Sequence, residues 1–135
     1  MYICMTGMNK YTKIYLRWAY EEENISEDDT RIVLKLHPFL APIKIGILPL
    51  SKKLSEKAEE IYHNLSKKYM CDFDEAGSVG KRYRRYDEIG VPYCITYDFD
   101  SEIDNSVTIR DRDTMIQTRV KIEELEKWFS TKFEI

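Results

Sequence analysis

The sequence holds few of the residues that cross-link a chain or bind metal. Its three cysteines, Cys4, Cys71 and Cys94, form no CxxC pair and share no metal-ligand spacing with the two histidines, His37 and His63. An odd, scattered set of this kind excludes a disulfide framework and a zinc site, and it points to free thiols in a reducing compartment. No run approaches the ~18 apolar residues of a membrane span. The stretch from Met1 to Lys10 lacks the apolar region of a secretory signal. The cytoplasm is therefore the expected location, with no membrane partner. There is no P-loop, no GxGxxG, no nucleophile elbow and no metal motif, so no catalytic, cofactor-binding or metal-ligating residue is expected. A lone DFD (Asp98 to Asp100) could hold a cation, but a loop accounts for it. An excess of positive charge is also missing. The formal net charge is −3, so any contact with nucleic acid must come from a local patch, and its affinity would still fall with salt.

The 135 residues, 43% of them apolar, fit one domain with a real core. Residues 1–20 carry little pattern beyond a short helix from Ile14 to Tyr20. Glu21 to Asp29 is acidic and reads as a loop, and Arg31 to Leu36 alternates as an extended segment. Ile43 to Leu48 is a β-branched apolar run, hence a strand. Ser51 is a cap for a helix whose apolar face is Leu54, Ala58, Ile61, Leu65 and Tyr69. Met70 to Phe73 is a second strand, parallel to the first across that helix. Ser78 caps a helix from Val79 to Ile89, and Gly90 stands at its left-handed C-cap. Tyr93 to Tyr97 is a strand. Ser106 to Arg110 and Met115 to Val120 alternate across a charged turn, as a hairpin does. Ile122 to Phe129 is a final helix. The order β-α-β-α-β-β-β-α makes an α/β fold with helices packed on a mixed sheet. Trp18 and Trp128 are assigned to packing.

Two segments could carry chemistry. In GKRYRRYDEIG (Gly80 to Gly90), Lys81, Arg82, Arg84 and Arg85 are interleaved with Tyr83 and Tyr86 and followed by Asp87 and Glu88. In RDRDT, Arg110, Asp111 and Arg112 open the turn of the hairpin. RNA readers use cations to fix phosphates, flat groups to stack on splayed bases, and fixed donors and acceptors to read base edges. A carboxylate accepts from the amino group of cytosine, and an arginine satisfies its ring nitrogen and carbonyl. On these grounds Lys81, Arg82, Arg84 and Arg85 are assigned to phosphates. Asp87, Glu88, Arg110, Asp111 and Arg112 are assigned to base edges, and Tyr83, Tyr86, Tyr97 and Phe99 to stacking. The rival account is a solvated helix face with ion pairs at i,i+4 and a self-satisfied turn.

LKLHPFLAPIKIGILPL (Leu34 to Leu50), DEAGSVGKRYRRYDEIGVPYCITYDFD (Asp74 to Asp100) and VTIRDRDTMIQTRVKIEEL (Val107 to Leu125) resemble the C-terminal domain of glycyl-tRNA synthetases. The resemblance implies the class IIa anticodon-binding domain fold, a five-stranded mixed β-sheet flanked by three helices. It implies a partner, the anticodon stem-loop of glycine tRNA, whose last two anticodon bases are cytosine. It divides the chain into a 1–30 extension and linker and a 31–135 anticodon-binding domain. Met5 to Lys10 falls where class II motif 3 stands, with only Gly7 agreeing and Lys10 in place of the ATP-contacting arginine. Motifs 1 and 2 are absent, so ATP and Mg belong only to a full-length catalytic synthetase. The chain is then a fragment, a separate subunit that meets a synthetase catalytic chain, or a free-standing paralogue. The alternative function is an accessory subunit without tRNA specificity, a use to which the mitochondrial DNA polymerase puts the same fold.

Overall fold

The structure, a computed structural model, describes residues 10–38 and 40–133, with side chains from Tyr15 onward. Cys4 and the motif-3-like stretch Met5 to Asn9 lie outside the described residues, and of Lys10 only the backbone is described. Helix α1 (Lys10–Ala19) leads into an antiparallel ribbon of β1 (Tyr20–Ser26) and β2 (Asp29–Leu34). The helix thus starts earlier than its apolar pattern suggested and hands over to the strand at Tyr20.

The expected loop over Glu21 to Asp29 is corrected by this ribbon. YEEENIS carries no apolar alternation because almost every side chain of β1 faces solvent. It is a strand because β2 satisfies its backbone and because cross-strand ion pairs fix its register. Glu23 takes hydrogen bonds from Arg31 and Lys35, and Thr30 donates to Asn24. The domain boundary expected after residue 30 falls inside β2.

The main sheet is built from β3 (Ile45–Pro49), β4 (Cys71–Phe73), β5 (Tyr93–Tyr97), β6 (Ser106–Asp111) and β7 (Gln117–Lys121), in the spatial order β4-β3-β5-β6-β7. β3 runs parallel to both neighbours, and the other pairs are antiparallel. The expected mixed five-stranded sheet is thus observed. Helices α2 (Ser55–Ser66), α3 (Val79–Ile89), α4 (Phe99–Asp104) and α5 (Leu125–Lys132) complete the molecule.

Strand alternation divides the sheet into two faces. Ile45, Ile47, Tyr93, Ile95, Tyr97, Val107, Ile109 and Val120 point to one face. There they meet Leu54, Ala58, Ile61 and Leu65 at α2 and Leu125 and Phe129 of α5. Tyr69 stands past the end of α2, not on its apolar stripe, and packs edge-on against Phe129. Leu48 and Cys94 point to the other face, under Tyr86 of α3. Gly46 lets that helix come close, since a Cβ there would sit 2.8 Å from the Tyr86 ring. Burial pushes the Cys94 thiol up to about 12 and the Cys71 thiol to about 11.

α4 stands where the sequence suggested a loop. Asp98 is its N-cap. The carboxylate accepts from the Ser101 backbone, and the Ser101 hydroxyl takes the Asp98 N–H in return. Six residues are too few to show helical periodicity, and Ser101 is the one buried residue among them.

Candidate nucleic-acid interface

Helix α3 is bounded as its sequence demands. The Ser78 hydroxyl accepts from Lys81 N, and Gly90 closes the helix at φ 83°, where a Cβ would collide with Leu36 and the Leu34 carbonyl. The spacing then sorts its charged residues. Arg82, Tyr86 and Ile89 follow one another at four and three residues and turn inward. Lys81, Arg84, Arg85 and Glu88 follow at three and four and share the outer side.

Four of the residues assigned to RNA contact are internal, and their roles are corrected accordingly. The Arg82 side chain is buried. Its Nη1 donates to the carbonyls of Pro49 and Asp74, both at 2.8 Å, joining the ends of β3 and β4. Asp87 has no solvent exposure and bridges two guanidiniums. Arg110 meets it through two bonds of 2.8 and 3.1 Å, and Arg31 approaches at 3.2 Å. Burial alone would lower the basicity of Arg110, but the bond to Asp87 and its charge raise it. Arg112 is buried as well. It donates to the Gly90 and Leu36 carbonyls and to Asp113, so it ties the hairpin turn to the end of α3. Strand alternation puts Arg110 on the α3 face, and the helix covers it.

The remaining positions lie further out. Asp111 is half-buried, and its carboxylate accepts from the Asp113 and Thr114 backbones, a turn-forming role. Tyr83 lies half-buried under the Arg110 guanidinium, 4.7 Å from its centre, with its hydroxyl bonded to Thr96. Tyr86 and Tyr97 are buried, which removes them as stacking groups, whereas Phe99 is half exposed. Lys81 is exposed. Arg84 is braced by Asp29 at 2.7 Å and the Thr30 carbonyl at 3.2 Å, and Arg85 by Asp74 and the Ala76 carbonyl. Between β2 and the outer side of α3 runs an open groove of about 430 Å³, lined by Thr30, Ile32, Gly80, Lys81, Arg84 and Glu88.

Two arginines escaped the sequence reading. Arg31 was visible in principle, because alternation in RIVLKL places it on the same side as buried Val33, where a charge needs a partner. Arg119 of β7 lies opposite Thr108 and is gripped by Asp98 and Asp104. It was hidden because its partners come from a helix that carries no periodic signal.

The family profile described as Anticodon binding domain matches residues 44–132. The chain is 62% identical over 128 residues to a glycine–tRNA ligase of Lachnoclostridium phytofermentans and 60% identical to one of Ruminiclostridium cellulolyticum. Each match covers 95% of this chain and 28% of the relative. The chain therefore spans little more than a quarter of the length of these curated relatives. Among solved structures, the RNA binding domain of threonyl-tRNA synthetase from Cryptosporidium parvum Iowa II superposes with a TM-score of 0.68 at 25% identity, over 73% of this chain and 25% of that one. Prolyl-tRNA synthetase from Cryptosporidium parvum, complexed with L-proline and AMP, shares the fold with a TM-score of 0.67 at 22% identity, over 73% of this chain and 22% of that one.

Proposed function

This chain belongs to the anticodon-binding domain family, and from that premise we propose that it binds tRNA by the anticodon stem-loop, with glycine tRNA as its partner. The carrying observation is the division of α3. Its inner residues are spent on the sheet and ribbon, while Lys81 and Arg84 line an open groove and Arg85 is exposed beside the loop after β4. Arg84 is held by acceptors at the start of β2 and Arg85 by acceptors in the loop after β4, so a phosphate meets cations already oriented. The buried frame of Arg31, Asp87, Arg110 and Arg112 keeps that row in place. It supports the contact surface without forming it. This narrows the phosphate contacts to Lys81, Arg84 and Arg85, with Glu88 and Asp111 at the margin. The names of the glycine–tRNA ligase relatives support the choice of tRNA.

The chain itself would take no cofactor, and glycylation would need the remaining part of a synthetase. Trp18 supports a meeting with such a body. It is 81% exposed, and Tyr20, two residues on, and Ile32 of β2 are also open to solvent. Buried free thiols at Cys71 and Cys94 suit a cytoplasmic setting.

The test is a salt titration of binding to the glycine tRNA anticodon stem-loop. A negative slope of log affinity against log salt is expected, and Lys81→Ala should flatten it by about one phosphate's share, roughly 0.7–0.9. A chain that binds no better to this loop than to an unrelated hairpin would overturn the assignment.

A further inference from the structure

Helices α2 and α5 lie on the sheet face away from α3, and a groove runs between them. It has two compartments, of about 280 and 300 Å³, which share Ile61, Asn64 and Ile122. Ile61 is buried and Ile122 half-buried, so the shared part is an apolar waist with one amide beside it. Both ends are acidic. Glu60 of α2 and Glu102 of α4 line the first compartment, and Glu123 and Glu126, at the entry to α5, line the second. All four carboxylates are exposed, and none forms an ion pair among the described residues. Lys57 lines the first compartment and Lys67 the second. They stand ten residues apart along α2 and its C-cap, about 15 Å at the helical rise.

A buried side chain opens into the acidic end beside Glu60. Tyr97 is 3% exposed and lines the first compartment, and its hydroxyl makes no hydrogen bond among the described residues. Burial, then the charges of Glu102, Glu60 and Asp98, hold that hydroxyl above its ordinary 10.0, so it keeps its proton and its oxygen can accept. The carboxylates do not converge. Among the described residues no three carboxylates, cysteines or histidines come close enough to hold a metal ion. Two acidic ends across an apolar waist match a cation whose charge is divided along an aliphatic chain, not a point charge that gathers oxygens around it.

We propose that this groove binds a linear aliphatic polyamine, with an ammonium in each acidic end and the methylene chain laid across Ile61 and Ile122. An ammonium has three donors and no acceptor. In the first compartment Glu60, Glu102 and the Tyr97 hydroxyl supply an acceptor for each. Glu123 and Glu126 take the far ammonium, and the Asn64 amide oxygen is the acceptor for a secondary amine between the two. The methylenes leave water against the apolar waist, which adds a preference for chain length that charge alone does not give. Lys57 and Lys67 repel a cation carried beyond either end, so the groove selects ligands shorter than their separation. The site is separate from the basic row of α3 and holds whether or not that row meets tRNA.

Isothermal titration of the full chain at low ionic strength compares spermidine, putrescine, ethylenediamine and magnesium chloride. Spermidine should bind one-to-one and at least about fivefold more tightly than ethylenediamine, whose charges cannot reach both ends. Putrescine should fall between them. Glu60→Gln and Glu123→Gln should each weaken spermidine by about two- to fivefold, the share of one exposed ion pair. Asn64→Lys sets a cation in the waist and should abolish saturable binding. Glu59→Gln removes an equal charge from the opposite side of α2 and should change nothing. Equal affinity for spermidine, ethylenediamine and magnesium overturns the site. A loss in Glu59→Gln as large as that in Glu60→Gln does the same, since either result is diffuse attraction to a net negative chain. Spermidine that never saturates also overturns it. All the substituted positions are exposed, and matching thermal melts exclude misfolding as the cause.

Discussion

Removing the Asp87 carboxylate would strand the Arg110 guanidinium inside the protein and leave Arg31 with Glu23 as its one remaining carboxylate. Arg31 and Arg110 are both buried, and each is compensated by the same side chain. Breaking such a pair from one side destabilises by about 3–5 kcal/mol, because a desolvated charge is left unpaired. Asp87→Ala should therefore lower the urea midpoint sharply, whereas Lys81→Ala, an exposed position, should leave it within about 0.5 kcal/mol. Glu23 sets a pH dependence of the ribbon. It is held below its ordinary 4.5, chiefly by the hydrogen bond from Lys35, against desolvation. A carboxylate depressed in the folded state contributes stability that is complete above its unfolded pKa and vanishes as pH falls through the folded one. Thermal melts of the parent should thus lose stability as pH drops below 4.5, and Glu23→Gln should remove that part of the fall. Lys35 is raised by the same contact, so its contribution holds below 10.5 and fades at higher pH.

Helix α3 contains one glycine and is closed by a second, and the two have opposite demands. At Gly80 nothing lies within 4 Å of an added Cβ, so Gly80→Ala should stabilise the helix by about 0.5–1 kcal/mol. At Gly90 the positive φ and the 2.9 Å approach of Leu36 make the same change destabilising by about 1–3 kcal/mol. Chemical denaturation of the two variants checks both signs. The boundaries of α3 and β5 were readable because their caps and apolar runs are local. Ser78 and Gly90 flank the one, and YCITY is the whole of the other. The ribbon was not readable, because β1 is held by pairing and ion pairs with residues that follow it, and neither leaves a pattern in YEEENIS. The candidate site was half legible. The composition of GKRYRRYDEIG marked the right helix, but a count of cations does not say which of them turn inward. Helical spacing did contain that answer, since Arg82 shares a side with Tyr86 and Ile89. No local pattern announced Arg119, whose partners come from a helix seated on its N-cap.

The whole molecule carries a net charge of −3 and yet presents a basic row, so its field is uneven, not uniformly repulsive to RNA. It also spans 28% of the length of its curated relatives while leaving Trp18 81% exposed. Mixed with the remaining part of a relative's synthetase, the chain should restore glycylation of tRNA, and Trp18→Ala should raise the concentration needed for half-maximal rate several-fold. A charging assay with radiolabelled glycine reads this directly, and no activity from the mixture would count against the assembly. The strand order has a further consequence at this scale. β3 is the middle of the parallel trio, yet it is made first, and its partner β5 follows about fifty residues later. At ribosomal speed that interval lasts roughly 2–10 s. Throughout it the nascent chain presents Ile45, Ile47 and Leu48 with one whole strand edge unmatched. An apolar strand edge left unmatched over that interval is prone to aggregation until β5 arrives to cover it.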